Sequence, residues 1–99
     1  MINIQMPILE KNDTWETHRE KLREEAGEVI DVIMNIESAP ESASELLAET
    51  LDVMQVCIGI IEQLEKTNRK IILEGQIKHV EKLYKRGWKF KKMIIIRED

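Results

Sequence analysis

The residues able to do chemistry lie between Glu24 and Asp52. One run reads Glu24-Glu25-Ala26-Gly27-Glu28 and the other Glu49-Thr50-Leu51-Asp52. Each holds an acidic pair at i, i+3, which a helix points to one side. Glu25 and Glu28 form one acidic edge, with Glu24 beside Glu28 at i+4, and Glu49 and Asp52 form a second. The midpoint of positions 25 and 52 is 38.5, as is that of 28 and 49, and Ser38-Ala39-Pro40 at that midpoint reads as a turn. An antiparallel helical hairpin closed there brings both pairs to one height, roughly 15–20 Å from the turn. Two bare carboxylates about 5 Å apart repel by roughly 3 kcal/mol at an effective dielectric near 20. Four facing one small volume therefore turn outward to water or share a cation. Oxygen-only ligands suit a hard ion, Mg²⁺ first, with Mn²⁺ as a substitute.

The elements that must position these acids follow from apolar spacing. Asp13-Thr14-Trp15-Glu16 is a helix start with Asp13 as cap, and the first helix is expected over about 14–37. Its apolar stripe is Leu22, Ala26, Val29, Ile30, Val32, Ile33 and Ile36, with Glu25 just inside the edge and Glu28 just outside it. Ser42-Ala43-Ser44-Glu45 reads as a second capping box opening a helix over about 42–66. That helix carries apolar residues around more than half its circumference, Cys57 among them, so it needs several partners, the extra ones from another subunit. A third helix is expected over about 69–86, with Leu73, Ile77, Val80 and Tyr84 on its core face and Gly87 ending it. Residues 1–12 read as an extended or loosely attached arm, since Pro7 argues against a helix. Met93-Ile94-Ile95-Ile96 is a β-prone run that could pair with that arm or with another subunit.

The whole is one all-α domain over 1–99, a helical hairpin plus a third helix, its core completed by oligomerisation as a four-helix-type bundle. A chain of 99 residues buries a modest core. Its single cysteine can form no internal disulfide, which points to a reducing cytoplasm. The N-terminus lacks the pattern of a signal peptide, and no apolar run is long enough for a membrane span. Net charge is −4, but residues 15–52 carry eleven acids and three bases whereas residues 66–92 carry ten bases and two acids. One half could hold metal ions and the other could meet phosphates, or the halves could simply attract each other.

Carboxylates on facing helices serve di-iron sites, which need Glu-x-x-His pairs. Trp15 precedes His18 and Gln76 precedes His79 at that spacing, so di-iron chemistry is set aside. The other use is Mg²⁺-assisted phosphoryl chemistry. Here the sequence resembles the MazG-like branch of the all-α nucleoside triphosphate pyrophosphohydrolases. The runs that carry the resemblance are Lys21-Leu22-Arg23-Glu24-Glu25-Ala26-Gly27-Glu28-Val29 and Glu45-Leu46-Leu47-Ala48-Glu49-Thr50-Leu51-Asp52-Val53, with His79 to Gly87 behind them. It spans about residues 15–87. The resemblance implies a homodimer or homotetramer and cleavage of an NTP or dNTP to the monophosphate and pyrophosphate. It implies metal ligation by Glu25, Glu28, Glu49 and Asp52, with Glu24, Glu25 and Glu28 as the catalytic acids. It implies phosphate contacts from Lys21, Lys82 and Arg86. A phosphoribosyl-ATP pyrophosphatase-like enzyme and a non-catalytic helical interaction protein are the alternatives. Nucleic-acid binding by residues 78–92 is a weaker reading, because those bases have a small substrate's phosphates or the acidic half to meet.

Overall fold

The computed structural model covers residues 1–99 and is entirely helical in its regular structure. Three helices follow in order: α1 (Trp15–Ile33), α2 (Ala43–Thr67) and α3 (Lys70–Lys85), with a 3-10 turn at Pro40–Ser42 between the first two. α1 and α2 form the hairpin, and α3 packs more sparsely on α2. No helix is long and apolar enough to cross a membrane.

The helix ends show where local chemistry departs from the sequence expectation. α1 is capped by Thr14, not Asp13: its backbone is extended and its Oγ1 accepts from the Thr17 N–H at 3.1 Å. That register places Glu16 in the first turn, one position too early to close a capping box. α1 also stops at Ile33 rather than near residue 37. Asn35 Nδ2 donates to the Asp31 carbonyl at 3.2 Å and Ser38 Oγ to the Asn35 carbonyl at 3.1 Å. These side-chain bonds compete with helix propagation for the last carbonyls. α2 begins without the expected box, because the Pro40-led turn holds Ser42 at φ −78°, ψ 1° and its hydroxyl makes no capping bond. Asn68 is extended and its Oδ1 accepts from the Lys70 N–H at 3.1 Å, so one asparagine separates α2 from α3. Gly87, at φ 84°, closes α3 as expected. The Trp88 N–H donates to the Leu83 carbonyl at 3.2 Å and the Gly87 N–H to that of Tyr84 at 3.0 Å, a Schellman ending that requires the left-handed residue.

Packing is open. The radius of gyration is 15.7 Å, where a compact domain of this length has about 13 Å. The facing stripes of α1 and α2 are half-buried, including Leu22, Ala26, Val29, Leu51 and Val56, but no apolar residue is fully buried. Cys57, expected in the core, is exposed, because nothing in the chain covers that side of α2. On α3 the covered residues are Ile72, Val80 and Leu83, while Leu73, Ile77 and Tyr84, expected on the core face, stay exposed. One neighbouring helix shelters only one edge of an apolar stripe this wide. The tail does not pair as a strand with the N-terminal arm, and Met93, Ile94, Ile95 and Ile96 are exposed. The arm instead lies against α2, where Gln55 Nε2 donates to the Pro7 carbonyl at 2.7 Å.

Three substitutions separate the caps that form from the one that does not. Thr14→Ala is expected to lower the unfolding free energy by about 1 kcal/mol, and Gly87→Ala by about 1–2 kcal/mol. Ser42→Ala should change it by less than about 0.5 kcal/mol. Urea denaturation followed by helical circular dichroism checks all three.

Candidate metal centre

Glu25 and Glu28 project from the third and fourth turns of α1, and Glu49 and Asp52 from the second and third turns of α2. The hairpin sets the two pairs level, as the symmetric spacing predicts. One carboxylate oxygen from each lies within 4.8 Å of those of the other three. Glu25 and Glu49 are half-buried and Glu28 and Asp52 exposed, so the cluster spans the lip of the helix interface. One oxygen each of Glu25 and Glu49, Oε2 in both cases, is shut away from solvent with no hydrogen-bond partner. A desolvated acceptor without a donor is costly, and a cation is the partner that these two oxygens can share with the exposed carboxylates of Glu28 and Asp52. The donor set is all oxygen, which fits a hard divalent ion.

The electrostatics record the crowding. Burial raises the Glu25 pKa above its ordinary value, with repulsion from Glu28 adding to it and Asp52 and Glu24 contributing less. Glu28 is raised chiefly by its hydrogen bond to Glu49, then by repulsion from the same group. Across the two helices Glu28 thus acts chiefly on Glu49, whereas Glu25 feels Glu28 on its own helix more than Asp52 on the facing one. Glu24 is exposed on the next position of α1 and is not one of the four converging acids.

From this centre a cleft of about 330 Å³ runs along the α1–α2 interface toward the open end of the hairpin. α1 lines it with Glu25, Lys21 and His18, and α2 with Asp52, Gln55, Gly59 and Gln63. Residues 9 and 11–13 of the N-terminal arm form a third wall. No family model matches the chain, and neither does any curated protein or solved structure. What the site can do therefore rests on its own geometry.

Lys21 stands one turn from Glu25 inside the cleft, as its spacing predicts. Lys82 and Arg86 do not line it. They share a separate shallow depression on α3 with Lys78, Glu81 and Lys85. At the far end of the cleft Glu62 and Lys66 pair at 2.8 Å, and the Glu62 carboxylate holds the Lys66 ammonium above its usual pKa.

Sequence reasoning passed over His18, Gln55, Gly59 and Gln63 as parts of a site. The signal was present: His18, Lys21 and Glu25 fall on one stripe of α1, and Asp52, Gln55, Gly59 and Gln63 on one stripe of an otherwise apolar α2. The role of the arm had no such signal, since nothing periodic ties residues 7–13 to a helix face.

The raised carboxyls fix a sign for pH dependence. In the metal-free protein the native state binds more protons than the unfolded chain from the ordinary carboxyl value, 4.5, up to the raised one. The contribution of these groups to stability is therefore fully present below that window and declines as pH rises through it. Wild type measured in EDTA should lose stability relative to Glu28→Gln between pH 4.5 and pH 7. Mg²⁺ at pH 7 should restore wild type and leave the variant nearly unmoved, read as urea midpoints at the two pH values.

Proposed function

We propose that the protein is a Mg²⁺-dependent nucleoside triphosphate pyrophosphohydrolase of the MazG-like, all-α type, cleaving an NTP or dNTP to the monophosphate and pyrophosphate. The observation that carries this reading is the convergence of Glu25, Glu28, Glu49 and Asp52, with two desolvated carboxylate oxygens lacking a partner. A divalent ion held there supplies neutralisation of phosphate oxygens and a lowered pKa for the attacking water. The four acids hold it, with Mn²⁺ as an alternative to Mg²⁺. Lys21, in the cleft beside Glu25, offers its ammonium to a phosphate oxygen. Glu24, exposed on the same turn, would in this reading orient a water at the solvent side.

Homo-oligomerisation belongs to the same reading. Leu47, Ile61, Leu73, Ile77 and Tyr84 are exposed, and a monomer leaves that surface in water at a cost of roughly 25 cal/mol per Å². Lys82 and Arg86 lie outside the cleft of their own chain, so a phosphate role for them needs the α3 of a second copy alongside. A homodimer or homotetramer in a reducing cytoplasm meets both requirements. The exposed apolar surface equally suits a second reading, a helical interaction protein that binds the ion without catalysis.

Pyrophosphate release from a panel of NTPs and dNTPs, with Mg²⁺ and with EDTA, separates the two. The expected result is Mg²⁺-dependent release that Glu28→Gln or Asp52→Asn reduces by a factor of about 10² or more, on the scale of losing one group that stabilises developing charge. A Mg²⁺-dependent rise in melting temperature without release, phosphoribosyl-ATP included in the panel, selects the non-catalytic reading. Light scattering should give a mass of two or four chains.

A further inference from the structure

The basic half of the chain is left unspent by the fold. Every ion pair lies within α1 or within α2. Of the ten bases between residues 66 and 92, Lys66 alone is paired. The charge asymmetry of the sequence is therefore not consumed by attraction between the two halves. Nor do these bases serve the cleft of their own chain, which Lys66 alone among them lines. Four of the others, Lys78, Lys82, Lys85 and Arg86, share one depression in which Glu81 is the single acid. Lys78, Lys82 and Arg86 stand at i, i+4 and i+8, a line of about 12 Å along α3. All four cations are exposed. On a 3.6-residue helix they fall on the side away from Val80 and Leu83, which are covered. Past Gly87 the chain continues with Lys89, Lys91 and Lys92, all exposed, around Trp88 and Phe90. Trp88 is 65% exposed and Phe90 48%.

A line of unpaired cations continued by exposed aromatic rings has the two parts that hold a polynucleotide. We propose that α3 and the tail after it bind a single strand of nucleic acid. Phosphates follow the cations, and bases stack on Trp88 and Phe90. A duplex offers the same phosphates but keeps its base faces stacked within, so the rings select the single strand. Phosphates and base faces are common to DNA and RNA, so the surface takes either. Anionic lipid is the competing polyanion. Its headgroups form a sheet, whereas the cations of α3 form a line that a strand follows phosphate by phosphate. The surface is separate from the cleft, and the proposal stands whether or not a triphosphate is hydrolysed there.

The test is fluorescence anisotropy of labelled oligothymidylate and oligouridylate, each of about 16 nucleotides, titrated with the whole chain over a series of KCl concentrations. Both strands are expected to bind alike, with log affinity falling against log salt by about 0.7 for each phosphate neutralised. Replacing two cations together, Lys78→Ala with Lys85→Ala, should make that slope shallower by about 1.4. Trp88→Ala keeps the backbone N–H that closes α3. It should weaken binding about tenfold at an unchanged slope, with the helical circular dichroism unaltered. A duplex of the same length should bind more weakly than either strand. The proposal is overturned by absence of binding, by binding that Trp88→Ala leaves intact, or by tighter binding to the duplex or to phosphatidylglycerol vesicles. It is also overturned if the double lysine variant binds the strand as wild type does and loses pyrophosphate release instead. That outcome assigns the cations to the triphosphate of a second copy.

Discussion

Four carboxylates are held against one another by the packing of α1 on α2, and the rest of the site depends on that enforced repulsion. Glu25 and Glu49 sit at the edge of the apolar stripes, so pressing Leu22, Ala26 and Val29 toward α2 also presses the acids together. Burial at Glu25 and the Glu49 contact at Glu28, with repulsion among the acids adding to both, raise these two pKa values above the ordinary one, and protons relieve the crowding at low pH. A cation would relieve it at neutral pH. The hairpin thus stores, in the metal-free state, part of the preference for an ion that its donor set expresses.

The cleft shares a wall with that centre, and its residues divide by what they can still offer. His18 Nε2 is tied to Gln63 Oε1, and Gln55 Nε2 to the Pro7 carbonyl. Lys21 makes no ion pair, and among the groups on the α1 wall it is the one cation available to an incoming anion. Gly59 has a packing reason in mid-helix. It lets a buried imidazole lie against α2, where the entropic cost of glycine in a helix, about 1 kcal/mol, would otherwise count against it.

A chain whose apolar residues are at best half-buried keeps its fold through helix ends and one interface more than through a core. Thr14, Asn68 and Gly87 each satisfy backbone groups that the open packing leaves near water. The exposed stripe of α3 and the outer face of α2 are the surfaces that a core would otherwise occupy.

The sequence by itself determined the three helices, the turn between the acidic pairs and the levelness of those pairs, because helical periodicity and a common midpoint are local arithmetic. It also determined Gly87 as the end of α3, since a left-handed ending is a one-residue requirement. It misplaced the cap and the end of α1, and it read at the start of α2 a capping box that does not form, where neighbouring side chains compete for the same backbone groups and one hydroxyl decides. Only the tertiary structure decided that α3 keeps Lys82 and Arg86 away from the carboxylates of its own chain, that Cys57 and Tyr84 face out, and that the arm walls the cleft. It alone paired His18 with Gln63, 45 residues apart. Such contacts depend on how whole helices lie against one another, and no spacing within a single helix encodes that.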